Sequence, residues 1–346
     1  MEPVLTERAL NRALLDRQLL LERSTLTIPD ALERVGGLQT QYAPSGYVGL
    51  WTRLADFQRA DLTTALEERT VIQATLMRVT IHLVSARDYW PFAIGVRDAR
   101  RAAALKAPVP AGVAKPSMTE FEAHAARLSE ALADGPRTVK ELGDLGAGFV
   151  GTLGLWVDLV RVPPSGTWER RRADRLALAT SWVGPADVTV DEGRAHLVRA
   201  YLRAFGPAGW RDIASWSGLS VSDVQAAARD LDLVHYRDHA GGPLIDLAGL
   251  EVPDPATPAP VRFLPHWDAN LLVHARRTGL LPEEHRSRVF STKTTFSVGV
   301  VLVDGRGVAA WSVRDGRVVI DPFEEIGAAH ARSVEREREA LEAFHA

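Results

Sequence analysis

The chain has 346 residues, of which 46% are hydrophobic and 25% charged, with a formal net charge of −3; that length and balance describe a globular protein of two or three domains with a sizeable core. No apolar run approaches the roughly 20 residues of a bilayer span, and residues 1–20 carry charge through their apolar positions instead of the pattern of a secretory leader, so a cytoplasmic protein is expected. The absence of cysteine excludes disulfides and thiolate metal sites, and no HExxH-type cluster occurs, so neither metal nor other cofactor is expected.

Residues 6–23 (TERALNRALLDRQLLLER) space their apolar positions as a helix, and TIPDALERVGG predicts a second, entered through Thr27 and Pro29 and ended by two glycines. After LQTQYAP, further helices are predicted through YVGLWTRL and RADLTTALEER. The stretch VIQATLMRVTIHLVSARDYW is rich in β-branched residues and alternates. It predicts a strand with Met77, Val79, Ile81 and Leu83 on one face and Arg78, Thr80 and His82 on the other. A second unit begins near Ser117 with the helical MTEFEAHAARLSEALADG, followed by two short helices and two strands around the turn PPSG. A third, from Asp191, repeats the order: a long helix reaching Gly and Pro, a short helix, another helix, then a hairpin.

Helix, helix-turn-helix and hairpin in that order is the winged-helix pattern, whose second helix commonly meets DNA. The expected fold is therefore mainly α with β (α+β): winged-helix modules over residues 1–115, 116–189 and 190–255, then a C-terminal segment, 256–346. In the last segment Asp304-Gly305 and Asp315-Gly316 mark successive hairpin turns, predicting a small antiparallel β-barrel closed off by a helix from about Ala328 to Phe344.

Three groups of residues suggest chemistry. In GGLQTQYA an extended backbone puts Gln39 and Gln41 on one face and Thr40 on the other, an uncharged pair that either caps backbone groups after a helix or acts on a substrate. Arg78, Thr80 and His82 form a strip of donors suited to phosphate or sugar, or an ordinary exposed strand face. Arg170, Arg171 and Arg172, with Arg175 nearby, sit where a wing neutralises phosphates, or form a solvated turn paired with Glu169 and Asp174. Asp268 and Asn270 read as turn chemistry at a strand end. Positive charge is almost all arginine, with lysine only at Lys106, Lys115, Lys140 and Lys293, a bias that a GC-rich genome also produces.

The motifs GLQTQYAP, LWTRL with Phe57 beyond it, MRVTIHLVSARDY, AYLRAFGPAGWRDIASWSGL, FLPHWDANLL and VLVDGRGVAAWSV cover nearly the whole chain. In that order they resemble the winged-helix DNA glycosylases of the AlkZ type, which unhook interstrand crosslinks and excise bulky or N7-alkylated purines. The resemblance implies three tandem winged helices and a C-terminal β-barrel around a positively lined channel, with a Gln-x-Gln pair facing double-stranded DNA. Carried onto this sequence, the catalytic pair is Gln39 and Gln41. Two departures bear on it: the middle residue is commonly apolar and here is Thr40, which keeps a methyl to pack, and a related branch has Asp where this chain has Gln41, removing a strong general base. With no lysine near the pair in sequence, water rather than a Schiff base is the expected nucleophile, though Lys106 or Lys293 could approach through the fold. A monomer needing no protein partner is expected. A non-catalytic DNA-binding regulator and a protein-interaction scaffold remain as alternatives.

Overall fold

The structure, a computed structural model, describes residues 2–106, 116–145, 153–272, 279–290 and 297–346. After the short strand β1 (Val4–Leu5), helix α1 (Glu7–Arg17) starts where the Thr6 hydroxyl accepts from the Ala9 amide, and α2 (Ile28–Val35) where Thr27 accepts from Asp30. Gly36 ends α2 in the left-handed region and Gly37 stays there, at φ 74° and 80°. A Cβ on Gly37 would lie 3.0 Å from the Leu83 carbonyl oxygen, so the chain can pass this close to its neighbour only as glycine. It then enters β2 (Leu38–Gln39), followed by α3 (Ala43–Trp51) and α4 (Arg59–Glu67).

The single strand expected through residues 71–90 is instead a hairpin and a helix. β3 (Val71–Thr75) pairs antiparallel with β4 (Ile81–Ser85), and residues from Ala86 form helix α5 (Ala86–Gly95). The chain reverses because Arg78 and Val79 both take positive φ, 53° and 60°, conformations that non-glycine residues rarely adopt and that no Gly, Asn or Asp announces here. Helix α6 (Arg97–Lys106) follows.

In the second unit, helix α7 (Met118–Ala131) carries a Ser117–Glu120 capping box and leads to β5 (Arg137–Thr138), β6 (Leu159–Arg161) and β7 (Arg175–Leu178). Part of the two short helices expected between α7 and β6 lies at residues 146–152, outside the described residues. The third unit has the expected order: helices Val190–Phe205, Trp210–Ser217 and Val221–Ala227, then the hairpin β8 (Leu233–Asp238) and β9 (Pro243–Leu247). The long helix crosses α5 where Gly95 meets Gly193, a Cβ on Gly95 falling 2.7 Å from the Gly193 carbonyl.

The units share sheets. The hairpin β3–β4 and the β6–β7 pair join through Gln73↔Arg161 and Ala74↔Val160 into one six-stranded sheet of order β2-β4-β3-β6-β7-β5, and β1 pairs in parallel with β8. The C-terminal strands β10 (Arg262–Leu264), β11 (Gly299–Val303), β12 (Arg306–Arg314) and β13 (Arg317–Pro322) turn at the predicted Asp-Gly pairs. Contrary to expectation, they make an open sheet: β10 and β13 are its edges, and no closed barrel occurs among the described residues. The helix Ala328–His345 supplies the cover that closure would have given, burying Val334 and Leu341 in the same cluster as Phe263, Trp311 and Val318. The architecture is mixed α+β. No described helix is long and apolar enough to cross a membrane.

Candidate active site

Gln39 ends β2, in register with His82 of β4, and is buried; Gln41, past the end of the strand, is exposed. The Gln39 Oε1 accepts from Arg78 Nη2 at 2.9 Å, and the Gln41 Oε1 accepts from the Ile81 backbone amide at 2.7 Å. Both partners can only donate, which fixes each amide with its oxygen toward the β3–β4 turn and leaves one acceptor lone pair per oxygen. Thr40 between them is buried, and its Oγ1 donates to the Tyr42 and Ala43 carbonyls at 3.4 and 3.5 Å, which ties it to the start of α3. The loop is thus clamped on both sides of the hairpin turn.

Arg78, Thr80 and His82 do not form the expected strip, because the turn separates Arg78 and Thr80 from the strand that carries His82. Arg78 is turned inward, its Nη1 donating to the Trp216 carbonyl at 2.5 Å while Nη2 holds Gln39. Burial lowers its pKa to about 10, so the guanidinium remains charged at neutral pH beneath the glutamine pair. Thr80 Oγ1 donates to the Met77 carbonyl at 3.0 Å, closing the turn. His82 is 2% exposed and its Nδ1 lies 2.9 Å from the Thr80 carbonyl; a carbonyl only accepts, so Nδ1 carries the proton and Nε2 the lone pair. Burial, and then the Arg78 charge, push its pKa down to about 3, so His82 is a neutral interior group and not a surface phosphate donor.

The arginines of the β6–β7 turn lie beside the same loop. Arg171 Nη1 donates to the Tyr42 hydroxyl at 2.8 Å, with the guanidinium 5.7 Å from the Tyr42 ring centroid and 5.9 Å from that of Trp168. Arg172 pairs with Asp174 at 2.9 Å while remaining largely exposed, and Arg170 is exposed. Together with Arg175 they edge a polar recess of about 480 Å³. The tertiary structure therefore gathers Gln39, Gln41, Arg78 and Arg171, although the sequence places them up to 132 positions apart.

Asp268 and Asn270 do more than shape a turn. Asp268 Oδ1 accepts from the Asn270 amide, as turn chemistry predicts, but its Oδ2 accepts from Arg53 Nη2 at 2.9 Å with both side chains 1% exposed. Gln18 Oε1 accepts from Arg53 and from Asn270, while its Nε2 donates to the carbonyls of Val35 and Ala204. This buried network ties α1, the end of α2, the α3 terminus, the long helix and the C-terminal segment together behind the glutamine loop. Tyr42, His266, Trp311 and His345 were not singled out from sequence. They come within ring contact only because the C-terminal sheet and last helix fold back on the loop, His266 meeting Tyr42 edge-on at 5.8 Å. Among the described residues no cluster of three or more His, Asp or Glu could hold a metal ion. Lys106 ends α6, while Lys293 lies outside the described residues.

The family model described as "AlkZ-like: DNA glycosylase AlkZ-like" matches residues 32–344, a span that contains Gln39, Gln41, Arg78 and Arg171. Among solved structures, the Streptomyces sahachiroi DNA glycosylase AlkZ matches with a TM-score of 0.81 at 21% sequence identity, over 99% of this chain and 97% of that one. No curated protein matches the chain.

Proposed function

Since the chain belongs to the AlkZ-like DNA glycosylase family, and is thus a DNA-repair glycosylase acting on DNA, we propose that it hydrolyses the N-glycosidic bond of cationic N7-alkylated purines, including purines crosslinked across the duplex. Gln39 and Gln41 are the catalytic pair and water is the nucleophile.

The observation that carries this reading is the neutrality of the pair. Its hydrogen-bond partners are an arginine and a backbone amide, and neither supplies an acid or a base. Cleaving an N-glycosidic bond develops positive charge on the sugar, and most leaving bases must also be protonated. A purine alkylated at N7 is already cationic and departs neutral, so the acid is unnecessary. What remains is to hold a water near the anomeric carbon and to face the electron-poor sugar with partial negative charge, which amide oxygens of fixed orientation do. In this reading Gln41, which is exposed, meets the water, and Gln39, buried and bonded to Arg78, faces the sugar from its side of the loop.

In the same reading, residues 1–115, 116–189 and 190–255 are winged-helix modules, each a set of helices leading into a hairpin, and Arg170, Arg171 and Arg172 neutralise phosphates from the second hairpin. Binding to duplex DNA as a monomer then weakens as salt rises. The test is the double variant Gln39→Ala/Gln41→Ala, assayed by alkaline cleavage of abasic sites in duplex carrying N7-methylguanine. Excision is expected to fall by roughly 10²–10³-fold, the usual consequence of removing preorganised polar groups from a reacting centre. Undiminished excision by the double variant would sink the assignment.

A further inference from the structure

The β3–β4 turn that anchors the glutamine pair carries strain that packing within the chain does not explain. Val79 takes φ 60°, a conformation that β-branched residues rarely adopt, directly after Arg78 at φ 53°. Hydrogen bonds fix the turn. The Val79 amide donates to the Leu76 carbonyl at 3.2 Å, the Leu76 amide to the Thr80 carbonyl at 2.9 Å, and the Thr80 amide to the Met77 carbonyl at 3.1 Å. Glycine would hold the same turn without strain. Leu19 also has positive φ, but its side chain packs against a buried apolar cluster. Val79 is 40% exposed, and among the described residues it alone joins a largely exposed large hydrophobic side chain to a positive φ. Strain kept for a side chain that the core hardly uses points to a contact outside the chain.

The position of Val79 indicates what that contact is. It lies two residues before Ile81, whose amide holds Gln41, so at most about 7 Å of extended chain separates the two. It also borders a recess of about 340 Å³ whose lining includes Arg161 and Arg172, and the Arg172 side chain is 83% exposed. A rigid apolar tip therefore lies beside both the glutamine anchor and an arginine-lined recess. A stable protein interface needs roughly 800 Å² from each side, far beyond one valine. Of the surfaces of DNA, a phosphate would lose water to an isopropyl group and gain no hydrogen bond, and base edges in the grooves are mainly polar. Deoxyribose offers carbon–hydrogen surface, which an isopropyl group matches.

We propose that Val79 is a DNA-contact residue that packs against a deoxyribose next to the reacting nucleotide. The proposal rests on DNA being the substrate of the family to which the chain belongs, and its test breaks no bond. The probe is a labelled duplex with one 2′-fluorinated 7-methyldeoxyguanosine, whose electron-poor sugar resists cleavage, titrated by fluorescence anisotropy across a salt series. Val79→Gly should weaken binding by roughly three- to tenfold, as for re-exposing the free part of one valine side chain. The slope of log affinity against log salt should stay the same, because no phosphate contact is removed. Val79→Ile, which keeps apolar surface and backbone strain alike, should bind as tightly as the unaltered protein. The melting temperature of Val79→Gly should hold level or rise, since glycine relieves the turn. Unchanged affinity in Val79→Gly, an altered salt slope, an equal loss in Val79→Ile or a lower melting temperature of Val79→Gly would each overturn the contact. Undiminished excision by Gln39→Ala/Gln41→Ala would instead remove the glutamine assignment and leave the Val79 contact in place.

Discussion

Arg78 is the residue on which the glutamine pair depends most directly. Its two terminal nitrogens reach two acceptors, the Trp216 carbonyl and the Gln39 amide oxygen, which lie on different parts of the chain. A planar fork serves both at once, whereas a lysine ammonium on a flexible stem would keep the charge without the geometry. Arg78→Lys is therefore expected to fold and, under the proposed role of the glutamine pair in the chemical step, to lower kcat at least about tenfold with little change in KM. A merely structural Arg78 would change stability and leave the kcat-to-KM split alone. The chemistry of this arginine was legible in the sequence as a donor beside Thr80 and His82, but its direction was not. Alternation pointed it outward with its neighbours, and only the reversal at Arg78 and Val79 turned it under the loop.

Among the elements, β2 is only two residues long and is entered through two left-handed glycines. The double glycine before it was legible as a helix stop. The structure adds that Gly37 lies in the left-handed region and passes 3.0 Å, at its would-be Cβ, from the Leu83 carbonyl. Gly37→Ala combines a strained φ with a contact against backbone that cannot swing aside, and is expected to destabilise the fold by about 1–3 kcal/mol in urea unfolding. Because β2 carries Gln39, excision should fall by more than the lost folded fraction explains. Helix starts at Thr6, Thr27 and Ser117 were readable since each cap bonds within three residues of itself. The turn between β3 and β4 was not readable, because none of its residues is a turn former and the pairing of the two strands holds it in place.

At the scale of the whole molecule, three neutral histidines from distant parts of the chain set a pH response. His82, His266 and His345 have folded pKa values near 3, 4 and 4, below the ordinary value of about 6.5. Above pH 6.5 neither the folded nor the unfolded chain protonates them, and their burial adds full stability. As pH falls below 6.5 the unfolded chain takes up protons that the folded one refuses, so stability drops progressively toward pH 4. The melting temperature should be flat above pH 7 and decline between pH 6.5 and 4, and His82→Phe should reduce the slope of that decline. A melting temperature that rose on acidification would contradict the burial of all three.

What the sequence by itself determined is what local rules encode: the capped helices, the Asp-Gly hairpin turns, the third unit's helices and hairpin, and a neutral glutamine pair whose motif carried the family. What only the tertiary structure decided is which groups meet that pair. Arg78 arrives through an unheralded turn, Arg171 from 130 residues beyond Gln41, and His266, Trp311 and His345 from an open sheet and its covering helix. Those meetings rest on non-local strand pairing and shared burial, which leave no mark in the spacing of nearby residues.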